Sequence, residues 1–236
     1  MSEKVVWITG ASTGIGFETA KAFAKAGYIV AATGRRKSRL VALVSELKFV
    51  GHEAYAVVCN VQSERSVIST KKKILEKCGT IDVIVNNAGV TIFKSLVDTK
   101  SYEYDNIMDT NMRGSYLMIK AVLPLMIKRR KGHIINVLSV AANTAFEDSS
   151  VYAASKAGLL ALSNSLREEV RRFNIKVSNI LPGNTDTPMW DNKVRARYKN
   201  RMLTPREAAD IIVQVANQPK KVVIEDVIIR PIKGDL

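Results

Sequence analysis

The sequence predicts an α/β fold, a doubly wound sheet of about seven mainly parallel strands flanked by helices on both faces. Two observations carry this expectation. Apolar runs of strand length alternate with stretches of helical periodicity along the whole chain. The runs are near-continuously apolar rather than alternating, as strands buried on both faces must be. No repeat, low-complexity tract or linker breaks the pattern, so residues 1–236 read as one domain.

The elements follow in order. Strands are expected at 4–9 (KVVWIT), 28–33 (YIVAAT), 53–58 (EAYAVV), 81–86 (IDVIVN), 133–138 (HIINVL), 175–181 (IKVSNIL) and 221–229 (KVVIEDVII). Helical patterns fill the gaps at about 14–26, 38–50, 63–78, 102–130, 150–173 and 204–217. Strand–helix–strand alternation implies right-handed crossovers, hence parallel strands with helices packed on either side.

Composition agrees. With 47% hydrophobic and 25% charged residues, 13 Gly and 6 Pro, the chain has too much apolar content for disorder. A chain of this length can bury roughly 70–75% of the surface its unfolded form exposes. Cys59 and Cys78 have neither the number nor the spacing of a disulfide framework or a zinc site, and no bound metal is expected. The N-terminus lacks a signal-peptide h-region, and no apolar run approaches the ~20 residues of a membrane span, so no membrane partner and a reducing cytoplasmic setting are expected. The net charge of +14 is concentrated in Lys71–Lys73, Lys128–Lys131 and the alternating set Lys193, Arg195, Arg197, Lys199, Arg201. The second cluster closes a helical pattern before Gly132, where cations suit the helix dipole. Helical spacing spreads the third around its axis. These read as solvated surface, and no nucleic-acid partner is expected.

The first strand runs into Thr9-Gly10-Ala11-Ser12-Thr13-Gly14-Ile15-Gly16, after which a helix follows. Three glycines let the backbone turn tightly and approach a pyrophosphate, whose charge then sits against the helix N-terminus. A Walker loop would need Lys where Phe17 stands. An NAD site needs an acidic residue near the end of the second strand, yet no acid occurs between Glu18 and Glu46. The segment carries Arg35 and Arg36 instead, which suit a 2′-phosphate through charge-assisted bonds. NADP(H) is therefore the expected cofactor, with Arg35 the first contact and Arg36 the second.

Further motifs line up along the chain: Asn86-Asn87-Ala88-Gly89 after the fourth strand, Asn111 opening a long helix, Ser139 ending the fifth strand, Tyr152-Ala153-Ala154-Ser155-Lys156, and Pro182-Gly183-Asn184-Thr185-Asp186-Thr187. With the glycine loop, their order and spacing resemble the short-chain dehydrogenase/reductase family across essentially the whole chain. The resemblance implies a Rossmann-like fold and an oxidoreductase acting on a small carbonyl or alcohol substrate. It implies catalytic Asn111, Ser139, Tyr152 and Lys156, with Asn111 supporting a water in the proton relay and Lys156 also holding the nicotinamide ribose. Asn87, Ala88 and Gly89 would lie along the cofactor, and Thr187 and the Thr185 backbone, with Pro182 and Gly183, at its carboxamide. Asn60 and Val61 would border the adenine, although the family commonly has Asp where Asn60 stands.

The chemistry asks for these residue types. Reducing a carbonyl leaves negative charge on its oxygen, which must receive a proton, and a tyrosine can give one. Its ordinary pKa near 10 holds that proton too tightly for the reverse step at neutral pH. Tyr152 and Lys156 lie four apart and share a helix face. A cation about 4 Å away contributes roughly 4 kcal/mol at an effective dielectric of 20, or about three pKa units. Burial works the other way. The lysine, aided by oxidised nicotinamide, is expected to win.

Residues 188–203 are expected to cover the substrate, with Met189 and Trp190 forming an apolar wall beside Val90, Phe93 and Phe146, or else packing as ordinary core. The family resemblance also implies a homodimer or homotetramer built on the helices at 102–130 and 150–173. The alternative from another class is a catalytically silent NADP-binding regulatory or scaffold protein. A serine hydrolase is disfavoured, since His52 and His133 are the only histidines and no GxSxG elbow occurs.

Overall fold

The computed structural model describes residues 3–236; residues 1 and 2, where the expected domain begins, lie outside the described residues. The elements are β1 (Val5–Ile8), α1 (Gly14–Lys25), β2 (Ile29–Gly34), α2 (Lys37–Phe49), β3 (Ala54–Val58), α3 (Glu64–Cys78), β4 (Val83–Asn86), α4 (Ser101–Met108), α5 (Gly114–Arg129), β5 (Gly132–Val137), α6 (Ser150–Val170), β6 (Ile175–Pro182), α7 (Asn192–Tyr198), α8 (Pro205–Ala216) and β7 (Asp226–Ile229). The strands form one sheet in the order β3-β2-β1-β4-β5-β6-β7. Every neighbouring pair is parallel. The order reverses between β1 and β4, so the loops leaving those strands diverge and open a crevice at the carboxyl edge. This is the Rossmann-like sheet expected from the sequence.

The alternation of strand side chains builds a core on each face. From β1, Val6 and Ile8 join Phe23, Leu40, Leu43 and Ile212 on one side. Val5 and Trp7 join Met118, Val122 and Leu166 on the other. Trp7 is fully buried, and its indole donates to Thr33 Oγ1 at 3.0 Å. Thr33 in turn donates to the Ile8 carbonyl at 2.9 Å, so the polar tip of the largest core side chain is satisfied.

Three features differ from the sequence expectation. The helical stretch expected at 102–130 is α4 and α5 joined by a π turn at Asp109–Arg113, so Asn111 lies inside the helical path rather than opening it. Gly114 follows this turn at a tight spot: a Cβ on it would meet Val61 Cγ2 at 2.8 Å and the Asp109 carbonyl at 3.2 Å. The last strand pairs only over Asp226–Ile229; beside its start, the Arg167 guanidinium donates to the carbonyls of Val177 and Glu225 and to Asp226 Oδ1. The Lys128–Lys131 cluster is not simply solvated. Arg129 and Lys131 hold the buried Asp82 carboxylate at 2.6 and 3.1 Å. Burial pushes that carboxyl up, but the Val5 amide and the two cations outweigh it and hold it below the usual range.

Candidate active site

The loop after β1 is shaped by what it must lie against. Gly10 and Gly14 take the left-handed backbone conformation, with φ of +67° and +59°. A Cβ on Gly10 would meet Asn87 Nδ2 at 2.8 Å and Ala88 Cα at 2.9 Å, and one on Gly16 would run into the Asn87 amide and the Gly10 carbonyl. The loop thus packs directly on the exit of β4. Thr9 fastens the two together: its hydroxyl accepts from the amides of Asn87 and Ala88, both at 3.0 Å, and donates to Val85 O. Asn87 Nδ2 donates to the Thr9 carbonyl at 2.9 Å. Thr13, the cap of α1, makes no side-chain bond to the helix, so the first-turn amides of α1 remain free for an anion.

One cavity of about 800 Å³ opens along this edge, and every sequence-predicted site residue lines it except Gly16 and Asn111. Its volume suits a cofactor-sized ligand. Arg35 and Arg36 stand exposed just past β2, at the end where an extra phosphate would need cations. Asn60 Oδ1 accepts from the Gln62 amide at 3.2 Å, a local turn that fixes its orientation and keeps a lone pair and the amide nitrogen for a ligand. A glycine cradle that a side chain would fill, free helix amides and paired arginines together fit a phosphorylated dinucleotide.

At the other end of the cavity, Tyr152 and Lys156 come from the first turns of α6 and are both buried. Lys156 Nζ donates to the Val137 carbonyl at 2.8 Å and lies 5.7 Å from the Tyr152 ring centroid. Ser139, directly after β5, caps a short 3₁₀ turn by accepting from the Ala141 amide at 3.1 Å. Burial drives the Tyr152 phenol up to about 12, against a smaller downward pull from the Ser139 hydroxyl. Burial also drives Lys156 down to about 8. In the protein on its own burial therefore prevails at the tyrosine, whereas the expected balance includes the charge of oxidised nicotinamide. The same desolvation acts on both groups, and Nζ is directed to a backbone carbonyl.

Asn111 sits one layer behind. Its Oδ1 accepts from the Val90 amide at 2.8 Å, while Nδ2 donates to the Val90 carbonyl at 2.9 Å and to Ser155 Oγ at 3.0 Å. Ser155 Oγ donates to the Tyr152 carbonyl at 2.7 Å. Asn111 thus ties the loop after β4 to the turn of α6 that carries both titratable groups.

The apolar wall expected from Met189, Trp190, Val90, Phe93 and Phe146 lines the same cavity. Phe93 and Trp190 stack face to face, centroids 4.8 Å apart and planes 17° from parallel. Residues 188–203 contain α7, and Arg195 anchors the segment to Asp186 at 2.6 Å. Sequence reasoning missed Thr9, whose role needs the pairing of β1 with β4. It also missed Leu236, which borders the cavity because the chain folds back after β7. Only the apolar side chain after the polar run Lys233–Asp235 offered a signal for it.

Comparison with known proteins agrees with this geometry. The family described as short chain dehydrogenase matches residues 4–198. The chain is 33% identical to sepiapterin reductase of Chlorobaculum tepidum over 239 residues, covering 98% of each. Among solved structures, it matches a metagenomic short-chain oxidoreductase in complex with NADP, with a TM-score of 0.85 and 32% identity over 97% of this chain and 96% of that one. The closed form of serine dehydrogenase complexed with NADP+ gives a TM-score of 0.92 and 30% identity, over 98% and 96%. By sequence along nearly its whole length and by fold, the chain belongs to the short-chain dehydrogenase family of oxidoreductases.

Proposed function

We propose that this protein is an NADP(H)-dependent carbonyl reductase or alcohol dehydrogenase in which Tyr152 is the general acid and base. The observation that carries this reading is one continuous cavity with the glycine cradle, Arg35 and Arg36 at one end and the buried Tyr152–Lys156 pair beside Ser139 at the other. The NADP-bound state of the structural relatives supports the cofactor.

The nicotinamide, when bound, supplies or accepts the hydride. The chain's residues do the rest. Gly10, Ser12, Thr13, Gly14, Ile15 and Gly16 hold the pyrophosphate, Arg35 and Arg36 the 2′-phosphate, and Asn60 and Val61 the adenine. Asn87, Ala88 and Gly89 line the middle of the groove, Lys156 takes the second ribose, and Pro182, Gly183, Thr185 and Thr187 hold the carboxamide end. Ser139 orients the substrate oxygen as a neutral donor. Tyr152 gives that oxygen its proton. A phenol near 12 is fully protonated at neutral pH, which is the form carbonyl reduction uses. Lys156 then eases the phenolate that remains, and Asn111 keeps α6 in register with the loop after β4. Residues 188–203 act as a lid over an apolar substrate, all within a single domain. Two or four copies assemble through α5 and α6.

Equilibrium binding of NADPH and NADH, followed by NADPH oxidation against a panel of aldehydes and ketones, tests this. NADPH should bind much more tightly than NADH, and Tyr152→Phe should abolish turnover with NADPH affinity nearly unchanged. Unchanged turnover in that variant would sink the mechanism. Tight binding with no turnover on any carbonyl would instead favour a catalytically silent cofactor-binding protein.

A further inference from the structure

Beyond β7 the chain turns back on the site it has just formed. Gly234 adopts the left-handed conformation (φ +79°) and its amide bonds the Pro231 carbonyl at 2.9 Å, closing a turn that aims Asp235 at the loop after β6. The Asp235 side chain is only 6% exposed. Its Oδ1 accepts from the Asn184 amide at 3.1 Å and presses into the space a Cβ on Gly183 would occupy. Its Oδ2 accepts from Arg230 Nη1 at 2.6 Å. The other arm of the same guanidinium, Nη2, donates to Thr144 Oγ1 at 2.8 Å. Thr144 follows the 3₁₀ turn that Ser139 caps, and its own amide bonds the Val140 carbonyl.

These contacts form one chain of polar links from the Ser139 loop, through Thr144, Arg230 and Asp235, to Gly183 and Asn184. The same loop is held from its other side. The Asn184 carbonyl accepts from the Leu203 amide, and the Gly183 amide donates to the Ile229 carbonyl. A carboxylate so enclosed, gripping a backbone amide through an acceptor that charge strengthens, fixes its partner in one place. What it fixes is the peptide between Pro182 and Thr185, opposite the hydroxyl that orients the substrate. Leu236, next in the chain, borders the cavity itself.

We propose that Asp235 is a positioning residue which, with Arg230, sets the spacing between the nicotinamide-holding loop and Ser139. This rests on the reading of the cavity as an NADP(H) site. Asp235 does not itself line the cavity, so its influence should fall on the nicotinamide end alone and leave the adenine end, four strands away at β2, unaffected.

The test compares Asp235→Asn and Asp235→Ala with the parent in the full chain. Three quantities are read: Kd for NADPH, Kd for adenosine 2′,5′-bisphosphate, which carries only the adenine half, and kcat for carbonyl reduction. In both variants NADPH should bind at least about tenfold more weakly, the bisphosphate should stay within about twofold, and kcat should fall by at least about tenfold. Thr144→Val, which cuts the far end of the chain, should lower kcat in the same direction by less. NADPH binding and kcat within about twofold of the parent would overturn the proposal. So would a parallel weakening of both nucleotides with a lowered Tm, the mark of a purely structural role. A parent that binds neither nucleotide overturns the cofactor reading and this proposal together. A parent that binds both, and loses turnover in Tyr152→Phe while the Asp235 variants match it, removes this proposal alone.

Discussion

Lys156→Met should make the protein more stable and slower at the same time. Burial alone brings the Lys156 ammonium from 10.5 down to about 8. Holding the charged form in that environment costs the folded state about 3 kcal/mol at neutral pH. The folded value lies below the unfolded one, so the cost is complete below about pH 8, shrinks as the pH rises and disappears above about 10.5. Methionine keeps the length and removes the charge. It also removes the donor to the Val137 carbonyl, which offsets the gain by about 1 kcal/mol or somewhat more. A net gain of about 1–2 kcal/mol at pH 7 remains, a few degrees in Tm for a chain of this size. Activity moves the other way. With the cation gone, no charge beside Tyr152 eases its phenolate, so kcat/KM should drop by about tenfold or more. Denaturant unfolding from pH 6 to 10.5, alongside NADPH-linked carbonyl reduction at pH 7, measures both. Activity within about threefold of the parent, or stability and activity falling together, would refute the reasoning.

Arg35→Asp should weaken NADPH by about tenfold or more and narrow or reverse the preference over NADH, since it replaces a cation by a repelling carboxylate. The loss should shrink with added salt, because the position is exposed; a salt-independent loss would point to misfolding. His133 is buried in β5, where burial first and then Lys176 and Lys4 lower its pKa to about 3. Ser178 Oγ donates to the Ile224 carbonyl, so it accepts from His133 Nε2–H at 2.8 Å, which fixes the neutral tautomer. Charging this ring on unfolding should draw stability down as the pH falls below about 6.5, by about 2 kcal/mol at pH 5. His133→Gln should flatten that acid limb in denaturant titrations, and an unchanged slope would contradict it.

The parts of the site that were legible in sequence are those in which the chemistry is carried by neighbours along the chain. Gly10, Gly14 and Gly16 mark a turn whose backbone needs are local, and Tyr152 and Lys156 are four apart on one helix. The strands were legible because burial on both faces demands near-continuous apolar residues. What was hidden depended on pairs far apart in sequence. Val61 comes close against Gly114, beside the π turn at Asn111, only in the folded chain, and Asp82 is matched with Arg129 only once β4 lies beside β5. Arg167 reaching from α6 to the backbone of Glu225, at the start of β7, is a contact of the same long-range kind. None of these contacts has a signature in composition or period.

The balance at Tyr152 was the least legible feature, because charge and desolvation enter with opposite signs and only the packing decides their sizes. The outcome has a consequence for the reaction. Isolated, a tyrosine near 10 and a lysine near 10.5 release their protons in that order; in this pocket burial separates them to about 12 and about 8 and inverts the order. Raising the pH therefore strips the lysine of its charge first, while the tyrosine still holds its proton. Above about pH 8 reduction should decline even though the acid is still loaded, because the phenolate it leaves behind has lost its neighbouring cation.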